Sequence, residues 1–81
     1  MYFVYLLVAK KKNKKISYVG YTNNINKRLK LHNKSKGAKF TRGRKWKVAY
    51  FKKYDTKILA MKEEYKLKKN YRLRSKIKKG L

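Results

Sequence analysis

The sequence predicts an α+β fold, a small antiparallel sheet covered by helices. Three observations lead there. Three short runs, 2–8, 16–22 and 46–51, are dense in β-branched and aromatic residues. Between and after them, three segments open near Asn, Asp or Thr capping residues or carry helical spacing. The chain has 81 residues, enough for one domain with one modest core.

Each element has a local cause. Tyr2-Phe3-Val4-Tyr5-Leu6-Leu7-Val8 favours a pleated strand, and the charged run Lys10–Lys15, interrupted by Asn13, suits a hairpin turn. In the second strand, Ile16–Thr22, alternation puts Tyr18 and Gly20 on one face and Val19 and Tyr21 on the other. Thr22, Asn23 and Asn24 are all good N-caps, so a helix runs from there to Asn33 or Lys34. On it Ile25, Arg28, Leu29 and His32 share one stripe, which turns Arg28 and His32 toward the apolar side. Ser35–Arg44 reads as a basic loop, and Trp46–Phe51 as the third strand. Asp55 or Thr56 caps a second helix carrying Ile58, Leu59, Ala60, Met61, Tyr65 and Leu67, and Tyr71–Lys79 is a short basic helix. Composition shows no linker, repeat or second domain, so residues 1–81 are read as one unit.

Charge narrows the partner. Twenty-seven Lys and Arg face three acids, a net charge of +24, which no internal pairing neutralises. A polyanion, nucleic acid first, is the natural counter-charge. With 42% hydrophobic and 15% aromatic residues the chain is no disordered basic tail. Lacking Cys, it has no disulfide, thiol nucleophile or zinc finger. A single His and three carboxylates (Asp55, Glu63, Glu64) exclude a multi-His centre and the acid cluster that clamps two metals. The apolar opening Met1–Ala9 is too short to span a bilayer, so a cytoplasmic protein without a membrane partner is expected. Only five basic residues are Arg (28, 42, 44, 72, 74), and in so Lys-rich a chain these are the positions where a planar, bidentate grip on phosphate is expected.

Phosphodiester hydrolysis needs a base, positive charge on the transition-state oxygens and a metal that polarises the phosphate. Tyr5 and Tyr18 lie centrally on strands that a hairpin pairs, Arg28 suits a phosphoryl oxygen, and Glu63 or Glu64 suits a divalent cation. By composition and spacing alone, this amounts to a nucleic-acid-binding domain.

The motifs go further. Phe3-Val4-Tyr5 followed by Tyr18-Val19-Gly20 resembles the paired signature of the GIY-YIG nuclease superfamily. Thr22-Asn23 and Arg28-Leu29-Lys30-Leu31-His32-Asn33 are similar to its arginine-containing helix. Gly37–Arg42 resembles a loop of its short stand-alone bacterial branch, related to the UvrC N-terminal domain, and Ala60–Glu64 with Leu67-Lys68-Lys69 resembles the metal-binding segment. Phe3 and Val4 replace the first glycine and isoleucine, and Trp46 stands where relatives often carry Pro.

The resemblance implies a three-stranded antiparallel sheet flanked by helices and an Mg2+-dependent (or Mn2+-dependent) endonuclease of DNA, structure- or non-specific, acting in repair or recombination on branched or single-stranded DNA. Tyr5 and Tyr18 are then the signature tyrosines, one of them the base. Arg28 stabilises the phosphate, His32 follows one turn later, and Glu64 is the metal ligand, with Glu63 one residue early. Lys39, Arg42, Arg44, Trp46, Lys68, Lys69, Arg72 and Arg74 are the expected DNA-contacting residues, Trp46 by stacking on a base. No obligate protein partner is implied. The alternative is a non-catalytic basic DNA- or RNA-binding module.

Overall fold

The computed structural model describes residues 1–80. Strands β1 (Tyr2–Lys11) and β2 (Lys14–Thr22), helix α1 (Ile25–Asn33), a 3-10 turn (Lys39–Thr41), strand β3 (Lys47–Tyr54) and helices α2 (Lys57–Lys69) and α3 (Tyr71–Lys79) follow in order. The sheet is three-stranded and antiparallel, in the order β2-β1-β3. This is the expected α+β architecture.

The central strand explains its own sequence. Val4 through Ala9 are all buried, because both faces of β1 are covered. Val4, Leu6 and Val8 pack with Val19, Ala60 and Leu67 beneath α2, with Ile77 of α3 at the margin. On the opposite face Tyr5, Leu7 and Ala9 pack with Trp46, flanked by Tyr18, Val48 and Leu29 of α1. A continuous apolar run is the signature of a strand buried on both sides.

The strands extend past their apolar residues. Lys10 pairs with Lys15 and Lys11 with Lys14, leaving Lys12 and Asn13 as a two-residue loop with Lys12 at φ 57°. Ladder bonds satisfy the backbone there; the Lys10, Lys11 and Lys14 side chains are exposed, while Lys15 Nζ donates to the Lys78 carbonyl at 3.3 Å. β3 starts at Lys47 and runs to Tyr54, beyond the expected Phe51. It carries a bulge: Leu6 faces Tyr50 while Leu7 faces Val48, so Ala49 has no opposite residue.

Side-chain caps set the helix starts. Asn24 Oδ1 accepts from the Lys27 N–H at 3.1 Å, Thr56 Oγ1 from Leu59 at 3.2 Å, and Asn70 Oδ1 from Leu73 at 3.1 Å. Of the apolar residues expected to seat α2, only Ala60 and Leu67 are buried. Ile58, Leu59, Met61 and Tyr65 are exposed, since the sheet touches only one narrow stripe of the helix.

Candidate active site

Tyr5 is placed by register. It faces Gly20 across the β1–β2 ladder, and its ring fills the space above that glycine. A Cβ on residue 20 would stand 2.6 Å from Tyr5 Cζ, far inside contact distance. The phenol is 2% exposed and its oxygen lies 3.1 Å from His32 Nε2. His32, fully buried on the inner stripe of α1, rests against Gly37, where a Cβ would come within 2.7 Å of the imidazole Cγ. Its other nitrogen, Nδ1, is 2.8 Å from Thr41 Oγ1. Two glycines therefore clear room for a buried Tyr5–His32–Thr41 chain.

The partners of Thr41 favour one tautomer. Its hydroxyl donates to the Ala38 carbonyl at 2.8 Å and accepts the Ala38 N–H at 3.1 Å. With that proton committed, His32 Nδ1–H donates to Thr41, and neutral His32 presents a bare Nε2 to Tyr5. Burial, and then the Arg28 guanidinium, hold His32 below its ordinary value of 6.5, which favours this neutral ring. In that tautomer Tyr5 donates its hydroxyl proton to His32. Burial raises Tyr5 above 10.0; Arg28 beside it opposes that rise, while Tyr18 and Glu64 add to it.

Tyr18 lies on the same sheet face, its ring centroid 5.1 Å from that of His32. Arg28 is half-buried, and its buried Nε has no hydrogen-bond partner. A permanently charged, partly desolvated donor next to a tyrosine hydroxyl is suited to an incoming oxyanion.

The two adjacent glutamates separate. Glu64 acts on Tyr5 and pairs with Lys68 at 3.2 Å, its side chain 14% exposed. Glu63 pairs with Lys66 at 3.1 Å, lies in a groove with Tyr50 and Tyr54, and raises Tyr54 in addition to the effect of burial. Among the described residues, no three His, Cys, Asp or Glu side chains gather into a metal cluster. A hard cation held by one carboxylate, waters and substrate oxygens needs no such cluster, and Glu64 fits that donor set.

The remaining expected contacts divide. Lys39, Arg42, Lys68, Lys69 and Arg72 are exposed, with Lys69 4.5 Å from the centre of the Tyr65 ring. Arg44 and Arg74 are half-buried, Arg44 lying 5.5 Å from the Phe40 ring centre and donating to the Phe40 carbonyl at 2.7 Å. The role expected of Trp46 is corrected. It is 3% exposed in the core cluster, its Nε1–H donates to the Thr41 carbonyl at 2.9 Å, and its backbone N–H donates to Asn33 Oδ1 at 2.6 Å. No face of the indole is free for a base.

Sequence reasoning passed over two residues. Thr41 gave no signal beyond its place in the Gly37–Arg42 motif. Phe40, 50% exposed and stacked on Tyr18 at 6.2 Å and 22°, is the accessible aromatic of this loop.

Comparison with known proteins supplies the family. The model of a family described as the GIY-YIG catalytic domain matches residues 1–78. The chain is 46% identical to a UPF0213 protein of Oceanobacillus iheyensis over 83% of this chain and 76% of that protein. It is 44% identical to a UPF0213 protein of Clostridium perfringens over 85% of this chain and 72% of the other. A UPF0213 protein of Bacillus subtilis is 45% identical over 64% of this chain and 54% of its own. No solved structure matches the chain significantly.

Proposed function

This chain belongs to the GIY-YIG family, a nuclease family, and on that premise we propose that it is a divalent-metal-dependent DNA endonuclease with Tyr5 as its general base. The hydrogen bond from the Tyr5 hydroxyl to the bare Nε2 of His32 carries the reading. A neutral phenol is a poor base, with a reference value near 10. Here its proton has a destination. As a water gives its proton to the Tyr5 oxygen, Tyr5 passes its own to His32 Nε2, and Thr41 keeps the other ring nitrogen in place. Arg28, beside Tyr5, favours the anionic phenol oxygen and would bind the phosphoryl oxygens that gain charge in the transition state.

Tyr18, on the same face, lines the approach to Tyr5. Glu64 is the residue that holds the cation, Mg2+ or Mn2+, which when bound polarises the phosphate. His32, with no exposed surface, is a positioning residue and proton acceptor that works through Tyr5. Twenty-seven basic side chains against three acids supply the affinity for backbone phosphate and favour structure-dependent or non-specific binding over base readout. Among the described residues no helix is long and apolar enough to cross a membrane.

The test is a cleavage screen on plasmid, branched and single-stranded DNA, with Mg2+, Mn2+ or EDTA. Nicking that requires the metal and is lost in Glu64→Ala and Tyr5→Phe supports the reading. Cleavage that persists in EDTA or in Glu64→Ala overturns it, and tight binding without cleavage on every substrate leaves a non-catalytic binding module instead.

A further inference from the structure

Among the described residues, two buried side-chain polar atoms lack a hydrogen-bond partner, and both are arginine Nε–H donors. One is Arg28, beside Tyr5. The other is Arg74 on α3, which the mechanism does not use. Arg74 lines a shallow cleft of about 210 Å³ with Ser17, Tyr18, Val19 and Lys68, at the outer edge of β2. Tyr18 connects this cleft to the site, since its ring also packs against His32.

A buried donor without an acceptor is costly, and native folds rarely keep one that nothing satisfies. Among the described residues none offers Arg74 Nε an acceptor. The two glutamates pair with Lys66 and Lys68, and Tyr71 meets the Arg74 guanidinium only through its ring, 5.8 Å away, leaving Nε unpaired. A ligand that answers a guanidinium, a neighbouring ammonium and a serine hydroxyl is an oxyanion with several acceptor oxygens. In a nuclease already holding one phosphate at Arg28, the nearest such group is the next phosphodiester of the same strand.

We propose that Arg74, with Lys68 and Ser17, forms a second phosphate-binding site that grips a phosphodiester adjacent to the scissile one and so sets the path of the strand across Tyr18. This site rests on the nuclease reading but is tested by binding alone. Lys68 lines the cleft while pairing with Glu64, so a cation held by Glu64 would leave its ammonium to the phosphate.

The experiment measures fluorescence anisotropy of a labelled single-stranded oligonucleotide against salt, in EDTA, for the wild-type chain, Arg74→Gln, Arg74→Lys and Lys12→Gln. Lys12, exposed at the hairpin tip, controls for loss of one charge. Arg74→Gln is expected to weaken binding about tenfold or more and to reduce the log–log salt slope by about 0.7. Lys12→Gln loses far less affinity, and Arg74→Lys recovers the slope without the full affinity, since an ammonium has no planar fork. In parallel, inorganic phosphate raises the melting temperature of the wild type and not of Arg74→Gln.

Equal affinity for Arg74→Gln and Lys12→Gln overturns the proposal. So does wild-type affinity in Arg74→Lys, the variant that decides if Arg74→Gln does not fold. Phosphate stabilisation without any change in oligonucleotide binding means a site for free anions and also overturns it. Absence of cleavage with this binding pattern intact removes the nuclease reading and not the site.

Discussion

Replacing Thr41 by Val isolates the hydroxyl that orients the buried imidazole. The side chains are nearly the same size, so the loss is polar. His32 Nδ1, now 2.8 Å from the hydroxyl in a ring with no exposed surface, is left without a partner in either tautomer, at about 1–3 kcal/mol. The Ala38 N–H also loses its partner, for about 1 kcal/mol more, while the Ala38 carbonyl keeps the Thr41 N–H at 3.1 Å. A total of about 2–4 kcal/mol at roughly 4–8 °C per kcal/mol for a domain of this size lowers the melting temperature by about 10–25 °C.

The catalytic effect of Thr41→Val is separate. Without Thr41, the imidazole proton is better placed on Nε2, where it donates to Tyr5, and the phenol proton has nowhere to go. Removing a general base costs about 10²–10⁴ in rate. Single-turnover cleavage measured well below the melting point of the variant is therefore expected to fall at least a hundredfold, and Thr41→Ser to restore most of it. Nitrogen chemical shifts of the imidazole give an independent reading, unambiguous because His32 is the chain's only histidine. An unchanged tautomer with an unchanged rate in Thr41→Val refutes the relay.

Three other outcomes follow from the same structure. His32 is held below 6.5 when folded, so the unfolded chain binds the extra proton first; unfolding free energy is then unaffected by this group above pH 6.5 and falls as pH drops below it, by at most ~1.4 kcal/mol per unit. Urea titrations between pH 7 and 5 check this, and a flat profile contradicts it. Gly20→Ala drives a methyl into the Tyr5 ring and is expected to cost about 1–3 kcal/mol and most of the activity; wild-type melting and rate in that variant exclude the close approach. Finally, a +24 chain repels itself, so moderate salt or a polyanion raises its melting temperature, and equal melting at low and moderate salt counts against that repulsion.

Much of the molecule was legible in one dimension because its causes are local. A strand's alternation assigns Tyr18 and Val19 to opposite faces wherever the strand lies, and a helix's period puts Arg28 and His32 on one stripe. Asn24, Thr56 and Asn70 stop or start helices through hydrogen bonds that reach only three residues. Such rules carried the element order, the faces of the sheet and the family motifs.

What tertiary structure decided depends on which surfaces meet. Composition cannot say that Trp46 is sealed into the core while Phe40, six residues earlier, is exposed; that follows from the loop closing over α1 through Asn33. Glu63 and Glu64 are identical in chemistry and adjacent in sequence. They are told apart only because a helix turns successive side chains by about 100°, sending one toward Tyr54 and the other toward Tyr5. Thr41 and Arg74 are ordinary residues until the fold gives one a histidine to orient and leaves the other with a buried donor that no described residue accepts. The sequence by itself determined which residues face together; only packing decided which of them are left with something to bind.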